Sequence, residues 1–231
     1  MTETHYAVLI RHGDYHQRSG VPSARQPFPL TETGRAQARA CADNLAEMLQ
    51  KAGLSSPPLL YCSRQLRAWE TASLIAERLE ALGLGRPEIQ QSSDLAERGL
   101  GSAANLTAAE IETILREDPR YDPAPKGWKS DSDYRLPLEG AESLMEAGQR
   151  VAQHLNTIRN TTPPGQVAVH VGHGASFRHA CYHLNLLSRE EIAAFSMFHA
   201  RPLLFCYRPH DKWSHLTGAW KIRAAKDDPI D

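Results

Sequence analysis

Cysteine is scarce in this chain and never paired in sequence. Cys41, Cys62, Cys181 and Cys206 lie far apart, form no Cys-x-x-Cys, and sit among apolar neighbours. That spacing argues against a disulfide-stapled scaffold and predicts four reduced, buried thiols that act as small hydrophobes. Long apolar runs are missing too: no stretch approaches the ~18 residues of a membrane span, so no membrane partner is expected. Residues 1–6 are polar and lead straight into the first apolar run, which predicts no amino-terminal signal segment and a cytoplasmic protein. Net charge is also lacking. With 26 Lys plus Arg against 27 Asp plus Glu, the balance is -1, which argues against a basic surface for nucleic acid spread over the molecule. Any cationic site has to be local. No solenoid repeat and no low-complexity linker divides the 231 residues, so one domain over 1–231 is expected.

What is present is a succession of short apolar runs alternating with helical patterns. Residues 7–10 form a continuous apolar run ended by Arg11-His12-Gly13, the pattern of a central strand covered on both faces. Residues 14–29 hold Gly20, Pro22, Pro27 and Pro29 among polar residues and read as a long loop. Thr31-Glu32-Thr33-Gly34 then opens a helix whose apolar positions, Ala38, Cys41, Ala42, Leu45, Met48 and Leu49, recur every three or four residues up to Gly53. After a Pro57-Pro58 break, 59–62 form a second strand ending at Ser63, followed by a helix and a short strand over 88–91. Residues 99–140, rich in Gly, Pro and charge, read as an inserted cap with one short helix opened by the capping box Thr107-Ala108-Ala109-Glu110. A second capping box at Ser143 starts a helix to about 159, and 167–171 form a third strand ending in Gly172-His173-Gly174. Ser188 caps one more helix, and 202–207 with 213–220 close the chain as a strand pair. Strand–helix alternation of this kind predicts an α/β fold, a mainly parallel sheet with helices on both faces.

Three strand ends carry charge or imidazole: Arg11-His12-Gly13, Ser63 to Arg67, and Gly172-His173-Gly174. In a parallel sheet they share one edge. Two histidines and two arginines would meet there beside two helix N-termini, with glycines allowing close backbone approach. Such a site suits phosphate. His12 and His16, and His179 and His183, stand four apart. The first pair lies in a loop and the second lacks a third ligand, so no metal is expected. His16, Arg18 and Arg98 are candidates for the substrate mouth, as are Arg25 and Lys129, while Trp128, Trp213 and Trp220 read as packing residues.

The ordered blocks Arg11-His12-Gly13, Leu30-Thr31-Glu32-Thr33-Gly34-Arg35-Ala36-Gln37-Ala38, Ser63-x-x-x-Arg67-Ala68-x-Glu70-Thr71-Ala72, Leu95-x-Glu97-Arg98, Gly140-x-Glu142-Ser143 and Val171-Gly172-His173-Gly174 with Arg178 resemble the histidine phosphatase (phosphoglycerate-mutase-like) superfamily. The resemblance implies a phosphoglycerate-mutase-like fold and metal- and cofactor-independent phosphomonoester hydrolysis through a phosphohistidine on His12. It implies Arg11, Arg67, His173 and Gly174 as phosphate binders, with His173 as a charged imidazolium. Glu97 becomes the acid that protonates the leaving oxygen, with Asp14 or Glu142 as substitutes. Arg98 beside Glu97 opposes its protonation unless it faces away. The family's mutases have serine and asparagine soon after the first triplet, where this chain has Tyr15 and Arg18, so a phosphatase is expected ahead of a phosphomutase. The third reading is a non-catalytic phosphate- or phosphoprotein-binding module. The expected partner is a phosphorylated small molecule or phosphoprotein, with the oligomeric state open.

Overall fold

A computed structural model describes residues 4–22, 25–54, 58–210 and 212–223. Residues 1–3 of the polar amino terminus and Pro57 of the Pro57-Pro58 break lie outside the described residues. The elements are β1 (His5–Arg11), α1 (Glu32–Lys51), β2 (Leu59–Ser63), α2 (Leu66–Ala81), β3 (Ile89–Ser92), α3 (Ala108–Glu117), α4 (Leu144–Thr161), β4 (Val167–Gly172), α5 (Gly174–His183), α6 (Arg189–Ala194), β5 (Phe195–Ser196), β6 (Pro202–Arg208), β7 (Lys212–Thr217) and β8 (Lys221–Ile222).

Six strands form one sheet in the order β3-β2-β4-β1-β6-β7. β3, β2, β4 and β1 pair in parallel, whereas β6 pairs antiparallel with both β1 and β7, so the sheet is mixed, with its parallel part around the strand ends of interest. Alternation along β1 explains why its apolar run is unbroken. Val8 and Ile10 face a cluster with α1 and α2, whereas Ala7 and Leu9 face a second cluster with α4 and α5. All four cysteines are free and buried, as expected.

Helix starts follow the capping signals. The Thr31 hydroxyl accepts from Gly34 N at the head of α1, and Thr107, Ser143 and Ser188 each form a reciprocal capping box with the glutamate three residues on. The expected closing strand over 213–220 stops earlier. Gly218 takes φ 102°, with Pro202 O packed against the place a Cβ would occupy, and Trp220 stacks on Phe195, ring centroids 6.1 Å apart. The chain then forms the short β5–β8 pair instead.

The segment 99–140 builds a core of its own from Leu100, Ala103, Ile111, Leu115, Trp128 and Leu136. Its neck is tied where the chain leaves and returns: Leu100 bridges Ala141, Glu142 N donates to Gly99 O at 2.9 Å, and Ser102 N donates to Glu139 O at 2.9 Å. Among the described residues, no helix is long and apolar enough to cross a membrane.

Candidate active site

The parallel register brings the three motifs level. Arg11 pairs with Gly172, and Cys62 with Val171, so β1, β4 and β2 end side by side. His12 and His173 follow directly and Ser63 closes β2, all three buried, with Arg67 in the first turn of α2 fully buried beside them.

Arg67 is the hub. Its Nε donates to His12 Nε2 at 3.0 Å, its Nη2 donates to His173 Nδ1 at 3.2 Å, and its Nη1 donates to Gln26 O at 3.1 Å. One guanidinium thus joins both imidazoles and the loop 14–29. Tyr15 walls the other side, with the Arg67 guanidinium 4.6 Å from its ring centroid and its ring edge-on to His12.

The hydrogen bonds fix both tautomers. His12 Nδ1 lies 2.7 Å from Gly13 O, and a carbonyl only accepts, so Nδ1 carries the proton and Nε2 keeps its lone pair. His173 Nδ1 accepts from Arg67, so its Nε2–H donates to Ser63 Oγ at 3.0 Å. Burial first, then the charges of Arg67 and Arg11, hold both imidazoles well below the usual histidine range. Both are neutral at pH 7. The expected imidazolium at His173 is therefore corrected to an imidazole in this resting state, because two neighbouring guanidiniums in a dry site exclude a third positive charge.

Arg11 runs along the head of α5. Its Nη1 donates to Met197 O at 3.0 Å, and a Cβ on Gly174 would meet Arg11 Cδ at 3.1 Å and Nε at 3.3 Å. Glycine at 174 is what lets the guanidinium lie there. Gly13 is likewise close-packed, against the Gly34 backbone of α1.

Glu97 is buried at the N-terminus of α5. Its carboxylate accepts from Arg98 N at 2.9 Å, Ser176 N at 3.1 Å and Ala175 N at 3.4 Å. The dipole expected to point at phosphate is thus engaged by this carboxylate. Glu97 is also close enough to Arg67 to favour its charge. The two substitutes for the acid are committed elsewhere. Asp14 Oδ2 accepts from Thr31 Oγ1 at 2.7 Å. Glu142 pairs with Arg150 at 2.5 Å and accepts from Gly99 N at 2.8 Å, while Arg150 also donates to Asp94 O and Ala96 O. That pair brackets the chain on either side of Glu97.

The mouth candidates divide. Arg98 is buried, and its guanidinium lies 5.9 Å from the Trp128 ring centroid in the cap; burial lowers its pKa, opposed by Glu97 and Glu142. It faces the cap. His16 and Arg18 are exposed on the loop. The loop itself meets the cap, where Ala108 N at the head of α3 donates to Gly20 O at 3.2 Å, and the Arg18 charge acts on Glu110. Trp128 and Trp213 are buried, with indole N–H groups on Glu112 and Asn156, as packing residues should be. Among the described residues, no group of three or more His, Cys, Asp or Glu is arranged for a metal ion.

One residue escaped sequence reasoning. His199, in the turn between β5 and β6, donates from Nδ1 to His12 O at 2.8 Å and stands 5.5 Å from the His12 ring. No strand-end motif announces it, and only the pairing of β1 with the returning chain brings it in.

The model of the histidine phosphatase superfamily (branch 1) matches residues 7–217. The chain belongs to that family. The match covers all three motif-bearing strand ends, from Arg11-His12-Gly13 to Gly172-His173-Gly174. Curated relatives include the 2,3-bisphosphoglycerate-dependent phosphoglycerate mutases of Parvibaculum lavamentivorans, 27% identical over 201 residues covering 86% of this chain and 88% of the relative, and of Rhizobium etli, 28% identical over 203 residues with the same coverage. Among solved structures, a mycobacterial glucosyl-3-phosphoglycerate phosphatase superposes with a TM-score of 0.65 at 23% identity, over 94% of this chain and 98% of that one. A putative alpha-ribazole-5'-P phosphatase from Escherichia coli does so at 0.67 and 20%, over 94% and 95%. At that identity the structural likeness speaks for the phosphoglycerate-mutase-like fold.

Proposed function

We propose that this histidine phosphatase superfamily member hydrolyses phosphomonoesters through a phosphohistidine on His12. The observation that carries the reading is the state of that imidazole: neutral, buried, its Nδ1 proton held by Gly13 O, and its Nε2 lone pair turned toward the Arg67 guanidinium. A phosphate entering there takes the donor from Arg67 and meets a competent nucleophile.

His12 Nε2 attacks phosphorus in line, the P–O bond to the leaving group breaks, and Glu97 gives its proton to the departing alkoxide. Water then attacks the phosphohistidine, the P–N bond breaks, and the Glu97 carboxylate takes the proton from that water. Arg11 and Arg67 hold the equatorial oxygens, with His173 as a further donor. Phosphoryl transfer needs positioning and charge neutralisation more than covalent help, and two guanidiniums supply both. Glu97, held by three N–H groups at the head of α5, gives a proton in the first step and recovers one from water in the second, so each turnover returns it to its starting state.

Gly20 and Ala108 join the loop to the cap, and His12 is only 3% exposed; so little access favours a phosphorylated small molecule over a folded phosphoprotein. The mutase reading draws on the names of the curated relatives. Tyr15, packed on both His12 and Arg67, stands where the mutases carry a smaller polar residue, and this favours hydrolysis. Incubation with 3-phosphoglycerate and a bisphosphate primer separates the readings. Free phosphate supports the hydrolase, 2-phosphoglycerate the mutase, and no release from any member of a phosphorylated panel a binding module.

A further inference from the structure

We propose that His199 is a positioning residue for the nucleophile, setting the orientation of the His12 ring through one peptide plane. The proposal rests on the reading of His12 as nucleophile. The His12–Gly13 peptide is pinned at both ends. Its carbonyl, His12 O, accepts from His199 Nδ1 at 2.8 Å, and its N–H, on Gly13, donates to Thr71 Oγ1 at 3.0 Å. The next carbonyl along, Gly13 O, is the acceptor that holds the proton on His12 Nδ1. A twist of that peptide plane therefore moves Gly13 O, and with it the group that fixes both the tautomer and the tilt of the imidazole.

The turn carrying His199 is shaped for this task. Strand β6 begins at Pro202, opposite Ile10, and a proline brings no N–H to the end of β1. The missing donors come from just upstream: Ala200 N donates to Arg11 O at 2.8 Å and the His199 side chain serves His12 O. Aiming both at adjacent carbonyls places Ala200 at φ 47°, a left-handed conformation that a non-glycine residue adopts at a cost. The same turn accepts Arg11 Nη1 on Met197 O. One segment thus fastens the backbone of the nucleophile and the side chain of a phosphate clamp. Strain of this kind persists where surrounding contacts over-determine it, and here three such contacts end on Arg11 and His12.

Asparagine is the informative replacement, because its Nδ2 stands at the same bond distance from Cα as the histidine Nδ1 and carries a proton. His199→Ala leaves a buried carbonyl unpartnered and frees the peptide plane. With an aryl phosphate as substrate, His199→Ala is expected to lower kcat ~10–100-fold, the scale of a small misplacement of reacting groups, with KM within about threefold. His199→Asn is expected to recover most of that loss, with thermal unfolding reporting that both variants fold. A loss confined to KM, an unaffected His199→Ala, or equal losses in both variants overturns the proposal. Nitrogen-15 spectra of the His12 ring read the same device without turnover. The Nδ1–H tautomer should be single in wild type and His199→Asn and mixed in His199→Ala; an unchanged His12 ring in His199→Ala overturns it. Absence of hydrolysis by the wild type instead defeats the proposed function and leaves that spectral test in force.

Discussion

Replacing Arg67 with lysine isolates what the guanidinium geometry contributes, because the charge stays while the fork is lost. Arg67 makes three directed hydrogen bonds at 3.0, 3.1 and 3.2 Å, to His12 Nε2, Gln26 O and His173 Nδ1, from a fully buried position. A lysine ammonium is a single point that cannot reach two imidazoles and a loop carbonyl in the same places. At least one charged hydrogen bond to the transferring phosphoryl group is forfeited, worth ~1.5–3 kcal/mol, which corresponds to about 10–150-fold in rate at ~1.4 kcal/mol per decade. Loosening of both imidazoles adds to that. We expect kcat/KM for an aryl phosphate to fall at least ~100-fold in Arg67→Lys, measured by chromophore release, while the unfolding midpoint shifts by only a few degrees. Activity within threefold of wild type in a folded Arg67→Lys protein would refute the hub role, because a bare positive charge would then suffice.

Glu97→Gln tests the proposed acid separately from the rest of the site. It should cost ~10²–10⁴-fold on alkyl phosphates, whose leaving oxygen needs the proton, and much less on p-nitrophenyl phosphate, whose leaving group does not; equal losses on both would remove Glu97 from the acid role. A Cβ at position 34 would collide with the Asp14 carbonyl at the start of the loop, so Gly34→Ala should lower the unfolding midpoint and raise KM together, both read on the purified variant. Stability should fall with acid. Burial, with Arg67 and Arg11 acting on two of them, lowers the pKa of His12, His173 and His170 well below the usual value, and burial takes His179 to about 4. A depressed histidine pKa means the unfolded chain binds protons that the folded one refuses. Its stabilising contribution is complete above the unfolded value near ~6.5 and drains as pH falls below it, at up to ~1.4 kcal/mol per pH unit for each such group. His170 lies outside the site, stacked on Tyr61 with ring centroids 5.3 Å apart. His170→Phe should therefore flatten the denaturant-measured stability between pH 6.5 and 5 by about one proton's slope; an unchanged slope would contradict its burial as the cause.

Much of the candidate site was legible because each part lay at the end of an apolar run. A buried parallel strand that stops at Arg11-His12-Gly13, Ser63 or Gly172-His173-Gly174 declares where its last side chains sit, and register does the rest. The helix starts were legible for the same local reason, through Thr31, Thr107, Ser143 and Ser188. What did not show was everything produced by one segment returning to another. His199 follows a two-residue strand with no pattern of its own. The Arg150–Glu142 pair that brackets Glu97 joins residues eight apart whose meaning depends on the neck of the cap. The neutrality of His173 depends on dryness and on two guanidiniums nearby, neither of which a spacing conveys. Arg98 faces the cap because Trp128 is there to receive it, and position 128 lies inside an insertion whose own core had no periodic signature beyond one short helix.

Rapid quenching during turnover of a phosphorus-32-labelled phosphomonoester tests directly whether phosphate passes through Nε2 of His12. An acid-labile, base-stable label is expected on the peptide containing His12, formed and discharged at rates compatible with kcat and absent from His12→Ala, which should fold normally and lack activity. Label on any other residue, or full turnover in the His12→Ala protein, would contradict it.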